Sequence, residues 1–164
     1  MSDPHDAIAA PLGHLVIAFN ELEVALGGAL MRLLKYEDDE IGSAFVAVLG
    51  FAQKHTLLKT LAHKITDDSV RNQFIEYLNN AKNYSEMRNR YIHAEYTSVP
   101  GIDGEEATFL HQRLKDFAKA SRFRDSKDLF EYVRPTEPKE IIDLADHTAA
   151  LAFAMLRLSE RFRF

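Results

Sequence analysis

Between Ala7 and Leu34 the chain repeats apolar residues at three- and four-residue steps for longer than any other segment does. Leu12, Leu15, Val16, Phe19, Leu22, Leu26, Leu30 and Leu33 fall on one stripe of a helix. A helix of this length covers about 40 Å and needs partners of similar length to bury that stripe. The spacing nearly keeps a heptad, so the segment predicts a long helix packed in a bundle. Pro11 sits near its start, where a missing N–H costs least. Gly27, Gly28 and Ala29 form a patch of small residues that lets another helix approach closely.

The acidic run Glu37-Asp38-Asp39-Glu40 marks a turn into a second, shorter helix through Ile41, Phe45 and Leu49, closed by Gly50. A third helix is expected from Phe51 to Ile65, with Phe51, Leu57, Leu58, Leu61 and Ile65 inward. Asp67 or Asp68 can accept N–H bonds at the start of a fourth. That helix is carried by Val70, Phe74, Tyr77, Leu78, Ala81, Tyr84, Ser85 and Arg88, so an arginine continues a stripe that is otherwise apolar, aromatic or small.

After His93 the periodicity changes. Ala94 to Val99 reads as extended, residues 100–104 as a turn-rich loop, Ala107 to Leu110 as a second strand and Asp128 to Val133 as a third. Gln112 to Ser121 fits a helical turn or two equally well. Thr136 is expected to cap a last helix, with Pro138 in its first turn and Ile141, Ile142, Leu144, Ala145, Leu151, Met155 and Leu158 inside. The expectation is a single all-α domain over residues 1–164, a four- to five-helix up-down bundle. An irregular or β-hairpin insert at about 95–135 precedes its C-terminal helix.

Composition narrows the chemistry. The chain has no cysteine, which removes disulfides, thiolate nucleophiles and cysteine-held metals. No uninterrupted apolar run approaches the roughly 18 residues of a membrane span. The acidic N-terminus Met1-Ser2-Asp3-Pro4-His5-Asp6 lacks the basic start of a secretory signal, so a cytoplasmic protein is expected. His55 and His63 are eight apart with no completing carboxylate, and neither a glycine-rich phosphate loop nor a Gly-x-Ser-x-Gly elbow occurs. No metal or cofactor is expected.

The formal net charge of −5 gives no global attraction to nucleic acid, so RNA binding would need a local basic surface. Arg113, Lys115, Lys119, Arg122, Arg124 and Lys127 stand against only Asp116 and Asp125, with Phe117 and Phe123 among them. That mixture can stack on bases while tracking phosphates, and it equally fits a solvated connector.

Arg88-Asn89-Arg90-Tyr91-Ile92-His93 ends the fourth helix. Its arginine is always cationic and its histidine exchanges a proton near neutral pH. Five residues correspond to roughly 140° of helix rotation, so the two side chains do not share a face. A helix break between them, or a second subunit facing the first across a two-fold axis, would be needed to unite them. The competing account joins Arg88 to Glu21 or Glu23 of the first helix and leaves His93 as a helix C-terminal cap.

The hexapeptide and its helical setting resemble the HEPN superfamily, whose R-x4-6-H motif marks metal-independent endoribonucleases, many of them toxins or defence proteins. The resemblance implies a homodimer with the two motifs facing one cleft, RNA as substrate and, in toxin–antitoxin systems, an antitoxin partner; it implies neither DNA nor membrane binding. Carried over residue by residue, Arg88 grips the scissile phosphate, His93 serves as general base or acid, and Asn89 orients either the histidine or the phosphate. Arg90, Arg122, Arg124 and Lys127 are the further RNA contacts expected from charge. Tyr91 and Tyr96 fit packing better than base stacking. A toxin subgroup carries a tyrosine two residues after the histidine, but here that position is Glu95 and Tyr96 follows it, so that regulation is not carried over. The alternative function is a non-catalytic helical dimer that binds RNA, a nucleotide or a protein partner.

Overall fold

Residues 6–36, 40–99, 108–113 and 134–164 are described by a computed structural model. They form α1 (Asp6–Leu34), α2 (Glu40–Val48), α3 (Phe51–Leu61), a 3₁₀ turn (Ala62–Lys64), α4 (Asp68–Ile92), β1 (Ala94–Val99), β2 (Thr108–Arg113), β3 (Arg134–Thr136) and α5 (Pro138–Ser159). The fold is predominantly helical, and helices supply nearly all of its core.

The long stripe of α1 does what its spacing requires. Leu15, Phe19, Leu22, Leu26, Leu30 and Leu33 are buried, while Leu12 and Val16 lie at the margin. Its main partner along its length is α5. Ile8, Leu15 and Ala18 share one cluster with Ile141, Leu144 and Ala145 near the start of both helices. Further along, Gly28 has the Leu156 Cδ2 atom within 3.8 Å of where a Cβ would stand. α1 and α5 therefore run parallel. α4 runs the other way: Phe74, near its start, stacks edge-on at 5.0 Å with Phe162 just beyond α5, and Tyr84 and Tyr91 reach the Ile8–Leu15 end.

The α1 terminus is closed by Lys35 in the left-handed region (φ 60°), with the Tyr36 N–H donating to the Met31 carbonyl at 2.9 Å. This is the Schellman pattern, made here without the usual glycine. α2 then folds back against α1, and its sequence-expected face is corrected. Gly42 and Val46 turn inward, while Ile41 is 81% and Phe45 48% exposed. The cause is the close approach to Tyr36, which leaves no room for a side chain at position 42.

Gly50 belongs to the next helix as its N-cap, its N–H donating to Gln53 Oε1 at 2.9 Å. α3 gives way at Ala62 to the 3₁₀ turn, short of the expected end at Ile65. Asp67 caps α4 as anticipated, accepting from the Ser69 and Val70 N–H groups at 2.9 and 3.1 Å. At the bottom of the bundle the Thr66 N–H and hydroxyl both donate to the Arg163 carbonyl, tying the end of α3 to the chain's last turn.

β1 pairs antiparallel with β2 from Ala94↔Arg113 to Val99↔Thr108, and β2 pairs antiparallel with β3. The first two strands fall where the extended and apolar segments predicted them. The third expected strand, residues 128–133, and the helical alternative at 112–121 lie largely outside the described residues; the third described strand is Arg134–Thr136. Thr136 does not cap the last helix. It is buried in β3, and Glu137 takes the N-cap position without a side-chain bond.

Over residues 7–34, α1 is long and apolar enough by composition to cross a membrane, although no single uninterrupted run suggested it. Half of its most apolar window is buried within the bundle, as expected of a core helix with one packed stripe.

Candidate functional site

The hexapeptide straddles the end of α4. The helix runs unbroken from Asp68 through Ile92, so it neither kinks nor stops between Arg88 and His93. His93 is the C-cap, at φ −102° and ψ 20°, and its side chain is exposed. One chain therefore leaves the arginine and the histidine on different sides of the helix end.

Arg88 does not take the carboxylate partner that the competing account assigned to it. Glu23 stands 4.0 Å from the Lys54 ammonium instead, and among the described residues Arg88 forms no ion pair. Its guanidinium carbon lies 5.0 Å from the centroid of the Phe19 ring of α1, a cation–π contact. Its Nη1 donates to Asn89 Oδ1 at 3.0 Å. Its Nε is buried and has no hydrogen-bond partner. A buried N–H left unmade costs about 1–3 kcal/mol, more on a charged group. The side chain is thus held over an aromatic ring with one buried donor unspent.

Two tyrosines fix the helix end from below. Tyr96 of β1 donates its hydroxyl to the Tyr91 carbonyl at 2.9 Å, satisfying one of the last α4 carbonyls, which have no partner within the helix. Burial raises the Tyr96 pKa well above the ordinary tyrosine value, and the neighbouring Tyr91 adds to it. Burial also raises that of Tyr91, assisted by the charge of Glu140 and a hydrogen bond to it. Glu140 lies in the first turn of α5. The sheet brings that turn beside the end of α4, because β1 leaves directly from His93 and β3 leads into Pro138. Both tyrosines serve packing and hydrogen bonding, in line with their sequence reading.

Arg90 is exposed in the last turn of α4, beside the Tyr91 hydroxyl whose charge state it affects. Arg122, Arg124 and Lys127 lie outside the described residues, as does the rest of the basic stretch beyond Arg113. His63 is exposed and shares a hydrogen bond with the Thr60 carbonyl. His55 is not a free surface histidine: its Nε2 donates to the Leu78 carbonyl of α4 at 3.1 Å, and desolvation lowers its pKa. Among the described residues no three metal-ligating side chains come together.

The sequence did not reveal Phe19, Glu140 and Lys54 as neighbours of chemistry. Phe19 and Lys54 sit on α1 and α3 at positions that helical periodicity marks only as inward or neutral, and contacts between helices carry no local signature. Compared with known proteins, the chain matches no family model, no curated protein and no solved structure.

Proposed function

We propose that this chain is a metal-independent endoribonuclease of HEPN type, active as a homodimer that takes RNA into a cleft between two copies of the Arg88–His93 motif. The observation that carries the reading is the half-buried Arg88 guanidinium, set over the Phe19 ring and, among the described residues, without a carboxylate partner. A structural arginine at such a depth is normally paired, because an unpaired buried charge is costly. An arginine that binds phosphate must be left unpaired.

The chemistry follows from the side chains. The ribose 2′-oxygen attacks phosphorus, forming the O2′–P bond as the P–O5′ bond breaks. One His93 takes the 2′-hydroxyl proton, and a second supplies a proton to the departing 5′-oxygen. Arg88 neutralises the charge that gathers on the phosphoryl oxygens. The products are a 2′,3′-cyclic phosphate and a 5′-hydroxyl. The unbroken helix between Arg88 and His93 supports the two-fold arrangement, since a partner subunit is the remaining way to complete the set. Asn89 holds one guanidinium nitrogen in place. An antitoxin partner accompanies this reading through the resemblance alone, and a cytoplasmic setting through the acidic N-terminal sequence.

The reading is tested by incubating purified protein with varied RNAs in EDTA and probing the product ends. Cyclic phosphate termini made by the wild type and lost in both His93→Ala and Arg88→Ala are expected. Intact RNA, or variants that cut as well as the wild type, would leave the non-catalytic dimer as the better account.

A further inference from the structure

Arg88 is one end of a row of flat side chains that crosses three helices. Beneath it the Phe19 ring of α1 lies 5.1 Å from the Phe51 ring of α3, tilted by 42°. Phe51 in turn lies 6.0 Å from the His55 ring at only 21°, close to parallel. The row ends where His55 Nε2 donates to the Leu78 carbonyl, which fixes the plane of the imidazole. Phe19 is buried, but Phe51 and His55 are each only half-buried. Desolvation lowers the His55 pKa, which favours the uncharged imidazole.

Cations gather around this row. Lys54 is 7% exposed, and its ammonium stands 4.0 Å from Glu23, too far for a hydrogen bond. Lys59 and Lys82 are near enough to His55 to disfavour its protonation further. Lys82 is likewise 4.0 Å from Glu86. Leaving the buried Lys54 and its neighbour Glu23 aside, Arg88, Lys59 and Lys82 stand against Glu86 along the row, an excess of two positive charges on a chain of net −5. This is the local basic, aromatic surface that the overall charge made necessary, and it lies on α3 and α4.

We infer that the Phe51–His55 pair is a base-stacking subsite for single-stranded RNA, holding a nucleobase a few nucleotides away from the phosphate at Arg88. The inference rests on the RNA reading above. Ten residues of α4 separate Leu78 from Arg88, about 15 Å along the helix, a distance that a short stretch of extended strand covers. Every base has a π face, so such a platform holds the strand without selecting sequence, while Lys59 and Lys82 neutralise the phosphates between.

The test is the binding of a short labelled RNA with 2′-O-methyl riboses, which cannot be cleaved, followed by fluorescence anisotropy. Phe51→Leu, which keeps an apolar contact with Phe19, and His55→Gln are each expected to weaken binding about tenfold. The exposed pair Lys59→Gln with Lys82→Gln is expected to reduce the salt dependence of binding without touching the core. An RNA made abasic along its length should lose the same affinity with wild type and lose little more with Phe51→Leu. If wild type binds but the variants and the abasic strand bind equally well, the subsite is wrong and the RNA reading survives. If wild type binds no RNA, the RNA reading fails and the subsite fails with it.

Discussion

Arg88 and Phe19 meet across α4 and α1, the guanidinium carbon over the ring at 5.0 Å from its centroid, with the arginine Nε buried and, among the described residues, unbonded. A structural salt bridge and a waiting phosphate ligand make opposite demands on this residue. Replacing Arg88 by Met keeps most of the apolar stem against Phe19 and deletes the unpaired donor. The loss of cation–π attraction, about 0.5–2 kcal/mol, is then offset by removal of a penalty of about 1–3 kcal/mol. Thermal or urea unfolding of Arg88→Met should therefore lie within about 1 kcal/mol of wild type. A structural ion pair would instead be lost at about 3–5 kcal/mol.

His55 should make stability depend on pH. Its folded-state pKa is depressed, chiefly by desolvation, below the ordinary value of 6.5 that it regains on unfolding. Below that value the unfolded chain binds the proton more readily, so this residue's contribution is whole above about pH 6.5 and declines as pH falls through it. His55→Gln keeps a donor for the Leu78 carbonyl and removes the titration. Urea midpoints of wild type and variant should converge as pH is lowered from 7.5 to 5; a constant gap would contradict the assignment.

Asp67 accepts two backbone N–H groups at the start of α4. Asp67→Ala should cost about 1 kcal/mol, or about 2–4 °C in Tm for a domain of this size. Asp68, which pairs with Arg71 on the exposed surface, should matter less when replaced by Ala, because such pairs contribute about 0–1 kcal/mol.

Gly42 tests the packing of α2. Within a helix Gly→Ala usually stabilises by about 1 kcal/mol. Here the added Cβ would stand 2.5 Å from Tyr36 Cβ and 2.6 Å from its Cγ, the rigid root of that side chain. Overpacking of this kind costs about 1–3 kcal/mol, so Gly42→Ala should lower stability on balance, and a double variant with Tyr36→Gly, which removes the clashing Cβ, should recover part of the loss.

The helices were legible because periodicity reports burial directly. The α1 stripe and most of the apolar face of α5 emerged from spacing, although Ile142, expected inside, is 38% exposed; the cap at Asp67 was one of two candidates, and β1 and β2 emerged from the change of pattern after His93. What the sequence hid depends on neighbours distant in the chain. Lys54 is buried because α1 and α2 close over it, not because of anything in the Gln53–Thr56 segment. Ile41 and Phe45 have an inward-looking spacing, yet α2 turns Gly42 and Val46 to the core because Tyr36 lies so close. Glu137 displaced Thr136 as the helix cap because strand pairing with β2 drew the threonine into the sheet. At the site, the motif and its angular problem were readable, whereas the aromatic row from Phe19 through Phe51 to His55 joins residues that only folding brings together.

The most direct test of the central claim is RNA cleavage with EDTA present, read as 2′,3′-cyclic phosphate ends, in wild type, His93→Ala and Arg88→Met side by side. The account predicts activity in wild type, its loss in both variants, and an Arg88→Met protein as stably folded as wild type. Cleavage by a well-folded Arg88→Met protein at the wild-type rate would contradict it.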